Sequence, residues 1–330
     1  MFNLTEQVLK TIRNYAMTRQ GDVVLAAVSG GPDSVFLLES LYRLKNKLQI
    51  SKLVVCNLDH CLRGKESRAD SLFVIRKARD LGLECVHKRV DIKKIKRGGL
   101  STEEIARQVR YRFFMEVAEE KGARVIATGH TLDDQAETIL MRFIKGASLK
   151  GMIGVMPVRA EGGITIVRPL IEITKEDIIK QLDAEGIRYR IDHTNFEPVY
   201  FRNIVRKEIL PFLEQYNPRL KRVLFNLAEH LREDFEFIEA ERSKSKKLVS
   251  ILNGAIEIML KDIAVQPKAL QKEILRDSLE KAGGEVKKLS FRHWKDVEQL
   301  IVKGRKGNAV DLPGDIRALR TERSIVFRKR

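Results

Sequence analysis

Residues 22–34 read DVVLAAVSGGPDS, and the fold turns on them. Asp22–Val28 is a short, nearly continuous apolar run, the pattern of a strand buried on both faces. Ser29-Gly30-Gly31-Pro32-Asp33-Ser34 then makes a turn, and VFLLESLYRL after it has an apolar helical face. A loop in this position lies outside the carboxyl end of a strand, where ligands dock on parallel sheets. Two glycines let the backbone approach a ligand closely. The helix N-terminus offers N–H groups and partial positive charge to an anion, and Ser29 and Ser34 add hydroxyls. There is no Gly-Lys-Ser/Thr ending and no G-x-G-x-x-G, so the loop is neither a Walker type nor a dinucleotide fingerprint. Taken alone, it also suits a plain tight turn with Ser34 capping a helix.

Working outward, the first half alternates strands and helices. Lys52–Leu58, Glu84–Val90 and Arg124–Thr128 read as further strands. Helices are expected over residues 65–81, from Thr102 as N-cap to Lys121, and over Asp133–Lys145. This order predicts βαβ units and a parallel sheet. After Gly146 glycines thin out regular structure before a strand at Ile164–Val167 and a helix at Thr174–Glu185. From Asn217 to about Met259 the chain reads as long charged helix, broken near Asn253–Gly254. Helices at 267–281 and 290–302 follow, then short strands at Ala309–Leu312, Ile316–Leu319 and Ser324–Phe327. Trp294 reads as a core residue of that last part. The expected architecture is an α/β parallel-sheet domain over 1–216, a helical connector over 217–265 and a small basic α+β domain over 266–330.

Composition narrows the class. The 330 residues carry a net charge of +17, which favours a polyanionic partner such as nucleic acid. Residues 217–330 hold 26 Lys/Arg against 17 Asp/Glu, more than half of that excess. No run of about 18 apolar residues exists, so no membrane span is expected. The opening MFNLTEQVLK has no charged head before an apolar stretch, so no signal peptide is expected. Cys56, Cys61 and Cys85 form neither a disulfide framework nor a C-x-x-C pair, which points to the reducing cytoplasm and away from structural zinc.

A second chemical motif, Gly129-His130-Thr131-Leu132-Asp133-Asp134-Gln135-Ala136-Glu137-Thr138, follows the fourth strand and emerges on the same sheet edge. On a helix, His130, Asp134 and Glu137 would face one way. Two carboxylates and an imidazole there can bind an amine, hold magnesium through waters or accept a proton. Asp133 and Asp134 equally suit a helix start electrostatically.

S-G-G-x-D-S resembles the pyrophosphate loop of the PP-loop ATP pyrophosphatases, adenine-nucleotide α-hydrolase-like enzymes that cleave ATP to AMP and pyrophosphate. Together with Asp59-His60-Cys61-Leu62-Arg63, Arg107–Tyr111, Arg168-Pro169-Leu170, Asp192–Asn195 and Arg202-Asn203-Ile204-Val205-Arg206, the two motifs resemble the tRNA(Ile)-lysidine synthetase family. The likeness runs from about Asp22 to Pro211, and more weakly over Gln266–Phe327. Lys145-Gly146-Ala147 stands where Arg-Gly-Ala is common.

The resemblance implies a cytoplasmic carbon–nitrogen ligase that uses ATP, Mg2+ and L-lysine to modify the wobble cytidine of a CAU-bearing tRNA(Ile), with no membrane partner. The base oxygen attacks the ATP α-phosphate, and lysine then displaces AMP. Ser29, Gly30, Gly31, Pro32, Asp33, Ser34, His60 and Arg63 are the expected ATP residues, with Asp33 also beside the metal. His130, Asp134, Glu137 and Arg110 join Asp33 as catalytic candidates; Arg202, Asn203 and Arg206 are candidates for tRNA contact. The assembly is left between monomer and homodimer. The competing reading is a PP-loop tRNA 2-thiolation enzyme, which would need a reactive cysteine, and Cys61 is the one expected to be exposed.

Overall fold

The computed structural model describes residues 4–62, 64–95, 101–190, 201–244, 248–252 and 255–330. The chain divides into two compact units, Met1–Glu229 and His230–Arg330. No described helix is long and apolar enough to cross a membrane.

The first unit opens with α1 (Leu4–Asn14), β1 (Val23–Ala27), α2 (Pro32–Leu44), β2 (Lys52–Asp59), α3 (Lys65–Asp80), β3 (Glu84–Arg89), α4 (Thr102–Lys121), β4 (Val125–Ala127) and α5 (Leu132–Ile144). It continues with α6 (Leu149–Met152), β5 (Val158–Glu161), β6 (Ile164–Val167), α7 (Lys175–Ala184), α8 (Phe201–Ile204) and α9 (Leu210–Glu214). The sheet order is β3-β2-β1-β4-β6-β5, parallel except for the edge strand β5. The two-residue period of a strand sorts β1 between two cores. Val24 and Ala26 pack with Leu37, Leu41, Val74 and Ile178 on one face, while Leu25 packs with Phe113, Phe114 and Val117 of α4 on the other. That double burial is why β1 itself carries no polar residue. Because β2 and β4 flank β1 on opposite sides, the strand order reverses there and a crevice opens at their carboxyl ends.

Two local expectations change. Ser101, not Thr102, caps α4: its hydroxyl accepts from the Glu104 N–H while Glu104 accepts from the Ser101 N–H. The edge strand β5 has no apolar alternation, with Arg159 and Glu161 exposed enough to pair with each other, and the sequence pattern did not reveal it.

In the second unit the correction is larger. The helix α10 (Leu220–Lys244), which spans the division between the units, stops well short of Met259. β7 (Val249–Leu252) and β8 (Ala255–Met259) follow as antiparallel strands. Alternation decides it: Ile256 and Ile258 are buried and pair in register with Phe327 and Ile325. Then come α11 (Leu260–Ala264), α12 (Lys268–Lys281), α13 (Phe291–Lys303), β9 (Ala309–Leu312), β10 (Ile316–Arg320) and β11 (Ser324–Lys329). The sheet order is β7-β8-β11-β10-β9, antiparallel throughout. The stretch 217–265, read as a helical connector, therefore contains two strands of this sheet. Trp294 packs against its apolar core.

Candidate active site

The loop between β1 and α2 is braced by its own serine. The Ser34 hydroxyl accepts from the N–H groups of Ser29 and Gly30, each at 3.2 Å, and donates to the Gly31 carbonyl at 2.9 Å. Gly30 sits at φ +97°, which an L side chain rarely adopts. No side chain caps α2, whose N-cap is Gly31 and whose first residue is Pro32. Its first-turn N–H groups thus face the crevice as an anion seat. Opposite lies Gly129, just past β4. A Cβ there would come within 3.2 Å of the Asp33 carbonyl carbon and oxygen and the Ser34 nitrogen. Backbone cannot yield as a flexible side chain does, so Gly129→Ala is expected to displace the loop. Its KM for ATP should rise about tenfold with a small loss of thermal stability, checked by ATP-dependent kinetics and a melting curve.

Asp33 opens the first turn of α2. Its Oδ1 is buried with no hydrogen-bond partner, and its Oδ2 lies 3.9 Å from Lys175 Nζ. Burial pushes this carboxyl up to about 7, against the pull of Lys175. An unpartnered carboxylate oxygen beside an anion seat fits Mg2+, which binds through one or two carboxylates plus phosphate oxygens and waters.

α5 starts with Thr131 as N-cap, and Asp134 closes a capping box on it. Asp134 Oδ2 accepts from the Thr131 N–H at 2.9 Å and hydroxyl at 3.0 Å. That orients Oδ1 toward Lys175 Nζ at 3.0 Å and Arg202 at 3.2 Å. Burial opposes the charge on Asp134, but Lys175 and the cations around it outweigh burial and hold the carboxyl well below the usual carboxylate range. Glu137, only 1% exposed, has both oxygens engaged. Arg202 Nε donates to it at 2.7 Å, and Arg206 donates through Nε at 2.6 Å and a terminal nitrogen at 3.0 Å.

The two arginines arrive on a distorted helix. Residues Val205–Ile209 form a π-turn in which the Leu210 N–H bonds the Val205 carbonyl. Pro211 lacks the N–H that a regular α-turn would give to residue 207, and the wider turn accommodates it. Arg202, Asn203 and Arg206 were expected to meet tRNA. In the structure Asn203 is buried, and both guanidinium groups face α5.

His130 precedes the N-cap, so it is not on the helix with Asp134 and Glu137 as the spacing suggested. Its Nδ1 pairs with the Thr128 hydroxyl at 2.9 Å, and burial pushes the imidazole down to about 3, leaving it neutral at pH 7. His60, beyond β2, has a buried Nδ1 without a partner; burial, with Arg110 adding to it, lowers its pKa to about 4. Arg63 and Asp192–Asn195 lie outside the described residues. Arg168 is buried and donates to the Met156 carbonyl, which fixes the exit of β6.

Sequence reasoning missed Lys175. It is the first residue of α7; its N–H donates to Asp133 at 2.8 Å, and its ammonium lies between Asp134 and Asp33. The signal was present. A lysine in a helix's first turn opposes the macrodipole, and here it follows directly on Thr174 as N-cap.

A strand–loop–helix anion seat at the reversal of a parallel sheet, with an acidic residue beside it, defines a PP-loop domain, and the family profile described as "PP-loop domain" matches residues 3–213. The tRNA(Ile)-lysidine synthase of Caldanaerobacter subterraneus subsp. tengcongensis is 34% identical over 332 residues, covering all of this chain and 70% of that protein. That of Clostridioides difficile is 33% identical over 98% of this chain and 70% of its own length. The chain belongs to the tRNA(Ile)-lysidine synthase family. Among solved structures, the U34-tRNA thiolase NcsA from Methanococcus maripaludis, which carries a 4Fe–4S cluster, is similar in fold. It has a TM-score of 0.59 at 20% identity, over 69% of this chain and 77% of that one.

Proposed function

We propose that the chain joins L-lysine to carbon 2 of the wobble cytidine in the CAU anticodon of tRNA(Ile), using ATP and releasing AMP and pyrophosphate. This is a carbon–nitrogen ligation in two steps. The cytidine O2 first attacks the ATP α-phosphate, and pyrophosphate leaves. The lysine ε-amine then attacks carbon 2, and the C2–O bond breaks to release AMP. The observation that carries the reading is the meeting of the anion seat at Ser29–Ser34, the buried Asp33 and the acidic start of α5 at one sheet edge, in a chain of this family.

Each demand has a candidate. The backbone of Ser29–Ser34 holds the phosphates, and Asp33 takes the magnesium ion, which when bound neutralises charge on the pyrophosphate. His60, with Arg110 beside it, lines the nucleotide side. Asp134 binds the substrate ammonium. The amine has an ordinary pKa near 10.4 and must lose its proton to attack. An imidazole at about 3 is a poor acceptor for that proton, and Asp134, held below the usual carboxylate range, is no better; His130 serves as a hydrogen-bonding wall, Asp134 orients the amine, and the proton leaves to solvent. Arg202 and Arg206 hold Glu137 and Asp134 in place, leaving the basic second unit, with Arg317, Arg328, Lys329 and Arg330 around an open groove, for the RNA.

Thiolation would require a reactive thiol. Burial pushes Cys56 up to about 12 and Cys85 up to about 11, so both are inert near neutrality. Cys61→Ser is expected to retain lysine transfer; its abolition would favour thiolation. The two half-reactions separate the roles at the site. With tRNA(Ile) and Mg-ATP alone, pyrophosphate is released and the tRNA is adenylated; adding lysine frees AMP. Asp134→Asn should slow the second stage about a hundredfold while leaving the first within a few-fold. Equal loss of both stages would refute the assignment.

A further inference from the structure

The acidic start of α5 is already filled. Among the described residues, the carboxylates of Asp33, Asp134 and Glu137 face three cations, Lys175, Arg202 and Arg206. Asp133 beside them is paired with Lys221 at 2.9 Å. Asp134 gives one oxygen to Thr131 and the other to Lys175 and Arg202, and Glu137 gives both to the arginines. An incoming ammonium would add a fourth positive charge to a balanced, largely buried cluster, which costs heavily unless a cation leaves.

The three cations are not equally fixed. Arg206 grips Glu137 with two nitrogens and Arg202 bridges Glu137 to Asp134, in the fork geometry that makes such pairs strong. Lys175 reaches Asp134 with a single ammonium at 3.0 Å, on a flexible four-carbon stem. Its backbone is pinned by Asp133, so only its side chain can swing. The same ammonium already lies 3.9 Å from Asp33, beside the anion seat of α2.

We propose that Lys175 occupies the substrate ammonium's place on Asp134 in the nucleotide-free protein, and that ATP phosphates draw it off toward the anion seat of α2, so that lysine binds only after ATP. The proposal rests on the reading of Asp134 as the partner of the substrate ammonium. Its physical basis is that the occupant and the substrate are the same chemical group. A seat satisfied by a lysine ammonium is shaped for another, and the triphosphate supplies the negative charge that the departing cation follows. The order places the amine beside the base only when a nucleotide is present to activate it. Linkage requires the reciprocal effect: lysine raises the affinity for nucleotide by the same factor.

Equilibrium dialysis of labelled lysine against the intact protein, with and without magnesium and a non-hydrolysable ATP analogue, tests this. The wild type should bind lysine at least about tenfold more tightly with the analogue. Lys175→Met should bind it without the analogue about as tightly as the wild type does with it, and its ratio should fall to about twofold or less. Lys175→Arg, which keeps a cation on Asp134, should retain the dependence. Equal wild-type affinity in both states, with binding lost in Asp134→Asn, overturns the proposal alone, and this comparison stands even if the methionine variant does not fold. Lysine binding that survives Asp134→Asn, or is absent in both states, overturns the assignment of the ammonium site on which the proposal rests.

Discussion

Glu137→Ala is expected to lower the stability of the first unit by about 2–3 kcal/mol and to abolish lysine transfer. Removing one member of a buried ion pair leaves the other without compensation, at about 3–5 kcal/mol where burial is complete. Glu137 is 1% exposed, but the two arginine side chains it serves are about a third exposed, so water recovers part of the loss. The effect on activity follows from geometry. Without Glu137, Arg202 and Arg206 keep only Asp134 as a partner in this cluster, and Arg206 reaches it only at 4.0 Å. They would then compete with any substrate ammonium there. Glu137→Gln keeps the volume and a hydrogen bond but not the charge, so its loss of stability should be smaller. Urea unfolding of the three proteins measures this; an unchanged midpoint for the alanine variant would contradict the arrangement.

Asp33→Asn should act in the opposite direction on stability while slowing pyrophosphate release about a thousandfold. The folded protein holds the Asp33 carboxyl at about 7, above its ordinary value of 3.8, because burial disfavours the carboxylate. Between those two values the native state binds a proton that the unfolded chain has lost. Native stability therefore declines as pH rises through that window. Asparagine removes the decline, so the variant should match or exceed wild type by about 1–2 kcal/mol at pH 8 and lose that advantage as the pH falls to about 4. A residue that costs stability at the pH where it works is the signature of a functional carboxyl. Parallel pH profiles of Tm for the two proteins, or retained pyrophosphate release, would contradict this role.

Much of the first unit was legible because its signals are local. The apolar run at Asp22–Val28 becomes β1, whose alternate residues feed two cores, and Gly30 marks a turn at positive φ. The acidic motif could be placed at a helix start because a capping box lies within four residues. What stayed hidden depends on distant partners. β8 pairs with β11, more than sixty residues onward, and β7 adds to it as a hairpin; in isolation their charged neighbours continue a helical pattern. Arg202 and Arg206 read as candidates for tRNA contact because Glu137, the partner that holds them, is 65 and 69 residues away. His130 was put on the helix face by spacing alone, although Thr131 caps the helix after it. Lys175 announced itself only as a cation at the wrong end of a helix; its two carboxylates come from α2 and α5.

On the proposed function, this sheet edge uses ATP to attach lysine to one base of one RNA. Its most direct test is incubation of the intact protein with Mg-ATP, radiolabelled lysine and either tRNA(Ile) or elongator tRNA(Met), both with CAU anticodons, followed by nuclease mapping of the label. Label is expected in the wobble nucleotide of tRNA(Ile) alone, with one AMP and one pyrophosphate released per lysine incorporated. AMP release that depends on some other acceptor, with no lysine entering tRNA(Ile), would contradict it.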